Sequence, residues 1–189
     1  MIRLIISDID GTLVKEGSTE INPEYMEVIR QLADQGVAFA AASGRHSSSI
    51  DAVFHEVRNR IFYLSDNGSC IQKYGTPCHE LRLNTEDLKG YLQEALEGGD
   101  CQRELGVNRE ETVVFGDNFN DMSMLKQAHY SFASELSHPD VKAAAHYQVA
   151  SWKVDGVLAV LKRILENEEA FLEDPEGTGS DTSEVNHAE

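Results

Sequence analysis

The sequence predicts an α/β fold in which a doubly wound parallel sheet carries a small, truncated α+β insertion. Short continuous apolar runs, typical of strands buried on both faces, alternate with amphipathic helical patterns along most of the chain. Glycine and proline residues mark the ends of these elements. The length of 189 residues is sufficient for one well-packed core.

Strands and helices alternate through the first third of the chain. Residues 2–7 are the first predicted strand, and the stretch Asn-Pro-Glu at 22–24 predicts a helix start, with Asn as the N-cap and Pro in the first turn. Gly36 ends that helix. The following elements are a strand over 37–42, a helix over about 46–58 and a strand over 61–64.

The same alternation returns in the second half, after a helix that ends at Leu105-Gly106. Its apolar runs predict strands at 112–116, 130–133 and 147–149. Helices are predicted at about 120–127, 138–144 and 154–165.

One internal stretch does not follow this rhythm. Residues 69–83 predict an antiparallel hairpin, and 85–97 predict one amphipathic helix that Gly98-Gly99 breaks. We therefore expect 67–99 to be a reduced cap outside the main sheet. The expected organisation is a core of 1–66 and 100–165, the cap, and an acidic tail of 166–189 that is disordered.

Composition limits the partners. A formal net charge of −17 disfavours nucleic acid and anionic membranes, which require a basic face. No apolar stretch approaches the ~20 residues that cross a bilayer. The three cysteines, Cys70, Cys78 and Cys101, form no CxxC pair and favour free thiols in a reducing compartment, so we expect a cytoplasmic protein.

Polar side chains follow three of the predicted strands. Asp8 and Asp10 come after the first, Ser43-Gly44-Arg45 after the second, and Gly-Asp-Asn-Phe-Asn-Asp at 116–121 after the strand at 112–116. In an open α/β sheet, ligands bind beyond the carboxyl ends of the strands. Converging carboxylates repel one another unless a cation lies between them, and oxygen ligands suit Mg²⁺.

This pattern suits phosphoryl transfer. One aspartate could act as the nucleophile that forms an aspartyl-phosphate, and the second, two residues on, could act as an acid for the leaving group. The Ser43 hydroxyl and the Gly44 N–H would hold phosphate oxygens at a helix N-terminus.

The three motifs resemble those of a known family. D-I-D-G-T-L at 8–13, S-G-R at 43–45 and G-D-N-F-N-D at 116–121 are similar to motifs I, II and IV of the haloacid dehalogenase (HAD) superfamily. The nearest resemblance is to its Cof-type, class II-capped sugar-phosphate phosphatases. Asp-Asn-Gly at 66–68 and the closing segment 138–165 add to it.

The resemblance implies two catalytic aspartates. Asp8 would be the nucleophile and a Mg²⁺ ligand. Asp10 would be the general acid and then the base that activates water, and its backbone carbonyl would also face the metal.

The resemblance also implies the remaining site residues. Asp117 would bind the metal directly, and Asp121 would complete the metal shell. Ser43, with Gly44, would bind the transferring phosphoryl group, Arg45 would lie beside the entrance, and Asn120 would contact the phosphate or fix a neighbour.

The sequence departs from the family at one motif. Cof-type members carry a lysine, usually as Lys-Gly, about a dozen residues before a Leu-Gly like that at 105–106, and no lysine lies at that distance here. Lys89-Gly90 comes too early. The simplest interpretation is that an internal block is missing, which takes most of the cap and this lysine with it. We therefore expect a Mg²⁺-binding phosphatase of small phosphorylated metabolites whose activity is weak and unselective.

Three alternatives stay open on the sequence alone. The chain could be a catalytically weak or inactive relative that binds phosphate or Mg²⁺. It could be a phosphomutase, although that reaction needs a closing cap. Lastly, a partner subunit in a homo-oligomer could cover the open site.

Overall fold

Eight strands form one sheet in the part of the chain that the computed structural model describes, residues 1–73, 79–80, 106–166 and 172. In chain order they are β1 Leu4–Asp8, β2 Ala38–Ala42, β3 Ile61–Ser65, β4 Cys70–Lys73, β5 His79–Glu80, β6 Thr112–Gly116, β7 Tyr130–Ser134 and β8 Tyr147–Val149. Across the sheet the order is β5-β4-β3-β2-β1-β6-β7-β8.

The first strand lies at the centre of a parallel array. Leu4 of β1 is opposite Ala38 of β2 on one side and opposite Thr112 of β6 on the other. The strands from β3 to β8 across the sheet are parallel, and β4 and β5 are antiparallel at one edge. The chain winds outward from β1 in one direction and then in the other, which brings the carboxyl ends of β1, β2 and β6 to one rim.

Helices cover both faces of this sheet. They are α1 Glu24–Asp34, α2 Ser47–Phe54, α3 Met122–Gln127, α4 Pro139–Ala144 and α5 Gly156–Leu165. The first, second and fifth helices share one hydrophobic core with β1 residues such as Ile5. The third and fourth share a second core with Leu4 and Ile6, on the opposite face. The predicted doubly wound α/β fold is confirmed.

The first helix begins where the sequence predicts. The Asn22 side-chain oxygen accepts the N–H of Glu24 at 3.0 Å, and Pro23 has helical backbone angles. Gly36 ends the helix region with a φ of 86°. The predicted helix over 46–58 is shorter, because after Phe54 the chain turns to bury Val57 in the core.

The predicted hairpin belongs to the sheet. Cys70 pairs with Ser65 of β3 and with Glu80 of β5, so β4 and β5 extend the main sheet antiparallel. The expectation that 67–99 lie outside the sheet is therefore wrong for these two strands. The rest of that prediction, including the helix over 85–97, falls outside the described residues.

Two further expectations change. Leu172 lies inside the predicted disordered tail, yet it is fully buried in the core with α1 and α5. Cys70 is disulfide-bonded rather than free, and its partner cysteine lies outside the described residues. Along the described residues, no helix is both long and apolar enough to cross a membrane.

Candidate active site

The predicted site residues meet at the carboxyl ends of β1, β2 and β6. Asp8 is the last residue of β1, Ser43 follows β2, and Asp117 follows β6. This is the point at which the strand order reverses direction, where open α/β sheets bind their ligands.

Three carboxylates cluster at this point. One oxygen each from Asp8, Asp117 and Asp121 lies within 4.8 Å of the others. Asp8 is 5% exposed and Asp121 3% exposed. The Asp8 Oδ2 atom is buried and has no hydrogen-bond partner. A buried carboxylate oxygen without a donor is costly, which is consistent with a cation site.

The cluster holds protons tightly when no metal is bound. Burial raises the pKa of Asp8 well above its usual range, and the charges of Asp121 and Asp117 raise it further. Burial also raises the pKa of Asp121 to about 7. Burial raises the pKa of Asp117 as well, although hydrogen bonds from Thr12 and Asp8 offset part of the effect. A divalent cation would allow all three groups to ionise together.

Two glycines make this close approach possible. A Cβ at Gly11, where φ is +84°, would lie 2.2 Å from the Asp117 Oδ2 atom. A Cβ at Gly116 would lie 2.6 Å from the Asp121 Cβ. Thr12 adds a positioning contact, since its hydroxyl donates to Asp117 Oδ1 at 3.2 Å. The glycines of the two Asp-containing motifs therefore serve to place the carboxylates.

Asp121 is fixed by the turn that carries it. Its Oδ2 atom accepts the backbone N–H groups of Asp117 and Asn118, each at 3.0 Å. The Asn118 side chain accepts the Phe119 N–H at 2.8 Å and caps a short 3-10 turn that leads into α3. The local hydrogen bonds leave Asp121 Oδ1 to the cluster and to the Asn120 amide at 3.2 Å.

Asp10 lies apart from the three-carboxylate cluster. Arg45 donates to both of its oxygens, from Nε at 2.7 Å and from Nη2 at 2.6 Å, and Gly17 N–H donates at 2.7 Å. Partial burial acts to raise the pKa of Asp10, but these hydrogen bonds and the Arg45 charge outweigh it and lower the pKa. The Arg45 Nη2 atom also donates to the Ser18 carbonyl at 2.7 Å.

A small cleft opens beside the cluster. Asp8, Ser43, Asn120 and Asp121 line it together with apolar groups. Ser43 is buried, and its hydroxyl accepts the Arg45 N–H at 3.1 Å. Gly44 and Asn120 are exposed at the rim. Ser43 and Asn120 thus lie in the same cleft as Asp8.

Sequence reasoning missed part of this arrangement. It did not anticipate the ion pair between Asp10 and Arg45, which joins residues 35 positions apart. Thr12 and Asn67 were noted only as members of motifs, although Thr12 bonds Asp117 and Asn67 lines the cleft. Lys89 lies outside the described residues.

The residues present fit a Mg²⁺ ion. Three carboxylates supply hard oxygen donors within reach of one ion, and one buried oxygen lacks a donor. Arg45 hydrogen-bonds the Asp10 side chain, so the predicted contact of Asp10 with the metal would be made by its backbone carbonyl. That contact stays a prediction.

Comparison with known proteins is consistent with these features. A family model described as haloacid dehalogenase-like hydrolase matches residues 5–102 and 100–161. The two matched segments together cover most of the chain and meet at residues 100–102.

A curated relative is similar along most of the chain. The 5-amino-6-(5-phospho-D-ribitylamino)uracil phosphatase YbjI of Escherichia coli is 24% identical over 269 residues, which span 90% of this chain and 98% of the relative. The alignment is longer than the chain of 189 residues, so the relative carries residues that have no counterpart here.

Solved structures share the fold. A protein from Eubacterium rectale superposes with a TM-score of 0.76 at 23% identity, covering 86% of this chain and 99% of its own. A HAD subclass IIB sugar phosphatase superposes with a TM-score of 0.67 at 20% identity, covering 86% and 98%. At these identities the comparison shows the fold alone.

Proposed function

The chain belongs to the haloacid dehalogenase-like hydrolase family, as its motifs predicted, and we propose that it is a Mg²⁺-dependent phosphatase of small phosphorylated metabolites, sugar phosphates included. The observation that carries the proposal is the buried, unpartnered oxygen of Asp8 within a three-carboxylate cluster at the floor of the cleft. The printed names of the E. coli relative and of the subclass IIB structure support this substrate class.

Three side chains would hold the ion: Asp8, Asp117 and Asp121. When bound, Mg²⁺ supplies positive charge that stabilises the ionised carboxylates and the phosphoryl oxygens. The raised pKa values of these carboxyl groups are consistent with a site that loses protons when the metal binds.

Asp8 would act as the nucleophile. Its carboxylate oxygen attacks phosphorus, the bond to the leaving-group oxygen breaks, and an aspartyl-phosphate forms on Asp8. The Ser43 hydroxyl and the Gly44 N–H would hold the phosphoryl oxygens, and Asn120 would stabilise the same group from the opposite wall. Water then attacks phosphorus and releases inorganic phosphate and Asp8.

Asp10 would move the protons. As an acid it donates to the leaving oxygen in the first step, and as a base it accepts a proton from the attacking water in the second. The Arg45 contact favours the ionised form of Asp10, so Asp10 must take up a proton, which weakens this contact, before it can donate. Arg45, beside the entrance, is then available to the anionic substrate.

A catalytically weak or inactive phosphate- or Mg²⁺-binding protein is the second candidate. The absence of a lysine at the expected distance before Leu105-Gly106 favours it. Losing one positive contact of this kind commonly costs about 10²–10³ in turnover. We expect a phosphatase that is impaired to this extent, because the four aspartates of its motifs are intact.

Hydrolysis of an aryl phosphate tests the proposal. We expect turnover that requires Mg²⁺ and that Asp8→Asn abolishes. Asp140→Asn, which removes an exposed carboxylate on α4, is the matched control and should retain full activity. Turnover that survives Asp8→Asn would contradict the assignment of the nucleophile.

A second result would favour the alternative. If no turnover exceeds the Asp8→Asn level while Mg²⁺ still raises the melting temperature of the protein, the site binds without catalysing. The cytoplasmic location, the absence of nucleic-acid and membrane partners, and a partner subunit that covers the site stay predictions.

A further inference from the structure

The turn that follows β3 has unusual backbone geometry. Asp66, Asn67 and Gly68 have φ values of 53°, 54° and 83°, so three consecutive residues are left-handed. This conformation is strained for a non-glycine residue, and such residues concentrate at functional sites. Two of them in succession make this turn a candidate for a functional role.

Backbone hydrogen bonds attach this turn to the phosphate-binding loop. The Asp66 N–H donates to the Arg45 carbonyl at 3.0 Å, and the Asn67 N–H donates to the Ser43 carbonyl at 3.2 Å. The position of Asn67 is therefore fixed relative to the residues that would hold the phosphoryl group.

The Asn67 side chain lies over the same loop. Its Oδ1 and Nδ2 atoms lie 3.1 and 3.5 Å from the position of a Cβ at Gly44, so the absence of a side chain at Gly44 makes room for the amide. Asn67 lines the cleft with Asp8 and Ser43. Among the described residues, the amide has no hydrogen-bond partner.

The cleft has a buried floor and an exposed mouth. Asp8 and Ser43 are 5% and 6% exposed and form the floor, whereas Asn67 and Asn120 are exposed at the mouth. A phosphoryl group in contact with Asp8 would fill the floor, and its organic group would extend past the mouth. The Asn120 amide already donates to Asp121, whereas the Asn67 amide forms no hydrogen bond within the described part of the chain.

We propose that Asn67 is a substrate-binding residue that selects a hydroxylated leaving group, by hydrogen-bonding a hydroxyl close to the phosphoester oxygen. A neutral amide offers both a donor and an acceptor, which suits the hydroxyl groups of a polyol or sugar. This role rests on the proposed phosphatase function and adds a determinant of specificity outside the cap.

Matched substrates and matched variants test this role. Glycerol phosphate and propyl phosphate differ in the hydroxyl groups of the leaving alcohol. Asn67→Gly removes the amide while the backbone keeps a conformation that glycine favours. Asp66→Gly relieves the same backbone conformation one residue earlier, at a side chain outside the cleft lining, and is the control.

We expect Asn67→Gly to lower kcat/KM for glycerol phosphate by about two- to tenfold, the effect of one hydrogen bond between neutral groups, and to leave propyl phosphate unchanged. Asp66→Gly should change both substrates equally. An equal loss on both substrates in Asn67→Gly, or no loss on either, would overturn the proposal.

Binding measurements test the role of Asn67 separately from the proposed phosphatase activity. Calorimetry in an Asp8→Asn background, with Mg²⁺ present, measures the ratio of the Kd values for the two phosphates without turnover. If the native chain hydrolyses neither substrate, the phosphatase proposal fails. The Kd ratio still decides the role of Asn67: a ratio that Asn67→Gly moves toward one supports it, and an unchanged ratio overturns it.

Discussion

Replacing Asp121 with asparagine should stabilise the metal-free protein. Asp121 is 3% exposed, and its Oδ2 atom accepts the N–H groups of Asp117 and Asn118 at 3.0 Å. An asparagine oxygen can accept the same two bonds after the charge is removed. Exposed Asn120 can rotate so that its oxygen faces the new amide. The substitution therefore removes one buried charge and keeps the local hydrogen bonds.

The pKa of Asp121 determines how much stability the folded protein loses when this group ionises. Its value of about 7, against an ordinary value of 3.8, means that the folded state binds the proton more tightly than the unfolded chain. The folded state of the metal-free protein therefore loses stability as the pH rises from about 4 to about 7. Above that range, the ionised Asp121 lowers the free energy of unfolding by about 4 kcal/mol. At pH 5 the loss is less than half as large.

Denaturation with EDTA present measures the effect. At pH 8 we expect Asp121→Asn to exceed the native protein in free energy of unfolding, by up to about 4 kcal/mol, and the difference should shrink at pH 5. Asp140→Asn removes the same charge from an exposed position in the first turn of α4, beside His138, and should lower stability by no more than about 1 kcal/mol. This control separates the buried cluster from the general repulsion of a chain with net charge −17.

With Mg²⁺ bound, the native protein should become more stable than Asp121→Asn. The native protein should gain stability from Mg²⁺, more at pH 8 than at pH 5, because the ion binds the deprotonated carboxylates. Asp121→Asn should gain far less. If Asp121→Asn is less stable than the native protein at pH 8 without metal, the buried charge of Asp121 does not destabilise the folded state as the structure implies, and the reasoning is wrong.

Three further outcomes follow from other contacts. Gly11→Ala should lower the melting temperature more than Gly17→Ala, since φ is positive at both but only the first methyl would meet a carboxylate; equal losses would contradict this. Arg45→Met should raise the pKa of Asp10 and move the basic limb of the kcat–pH profile to higher pH, and an unmoved limb would show that Asp10 is not the acid. Leu172→Ala should cost about 2–4 kcal/mol in urea denaturation, whereas a loss under about 0.5 kcal/mol would contradict its burial in the core.

Most of the sheet was predictable because its strands are short apolar runs with clear ends. The bounds of β6 and β8 agree with the prediction, and Asn22 caps α1 as expected. The rim at which the motifs meet was predictable for the same reason, since parallel strands place their carboxyl ends together.

The failures have a common physical origin in long-range contacts. Nothing local in Cys70–Lys73 distinguishes a hairpin on the sheet edge from one in a separate unit, because the pairing with β3 depends on register. Leu172 ends a short apolar stretch, Ala-Phe-Leu at 170–172, inside an acidic segment, and the composition of that segment does not predict its burial. The contact of Asp10 with Arg45 needed the fold to bring two loops together.

That contact also bears on the missing lysine. Within the described part of the chain, Arg45 is the one cationic side chain hydrogen-bonded to a site carboxylate, and it binds Asp10 rather than Asp8, the proposed nucleophile. Among the described residues, positive charge therefore lies next to the proposed proton-transfer group and not on Asp8. Neutralisation of Asp8 and of the incoming phosphoryl group would then depend on the bound cation, with Arg45 joining only after it has released Asp10. Arg45 alone would contact first Asp10 and then the substrate. We therefore expect slow turnover although the aspartates of the motifs are intact.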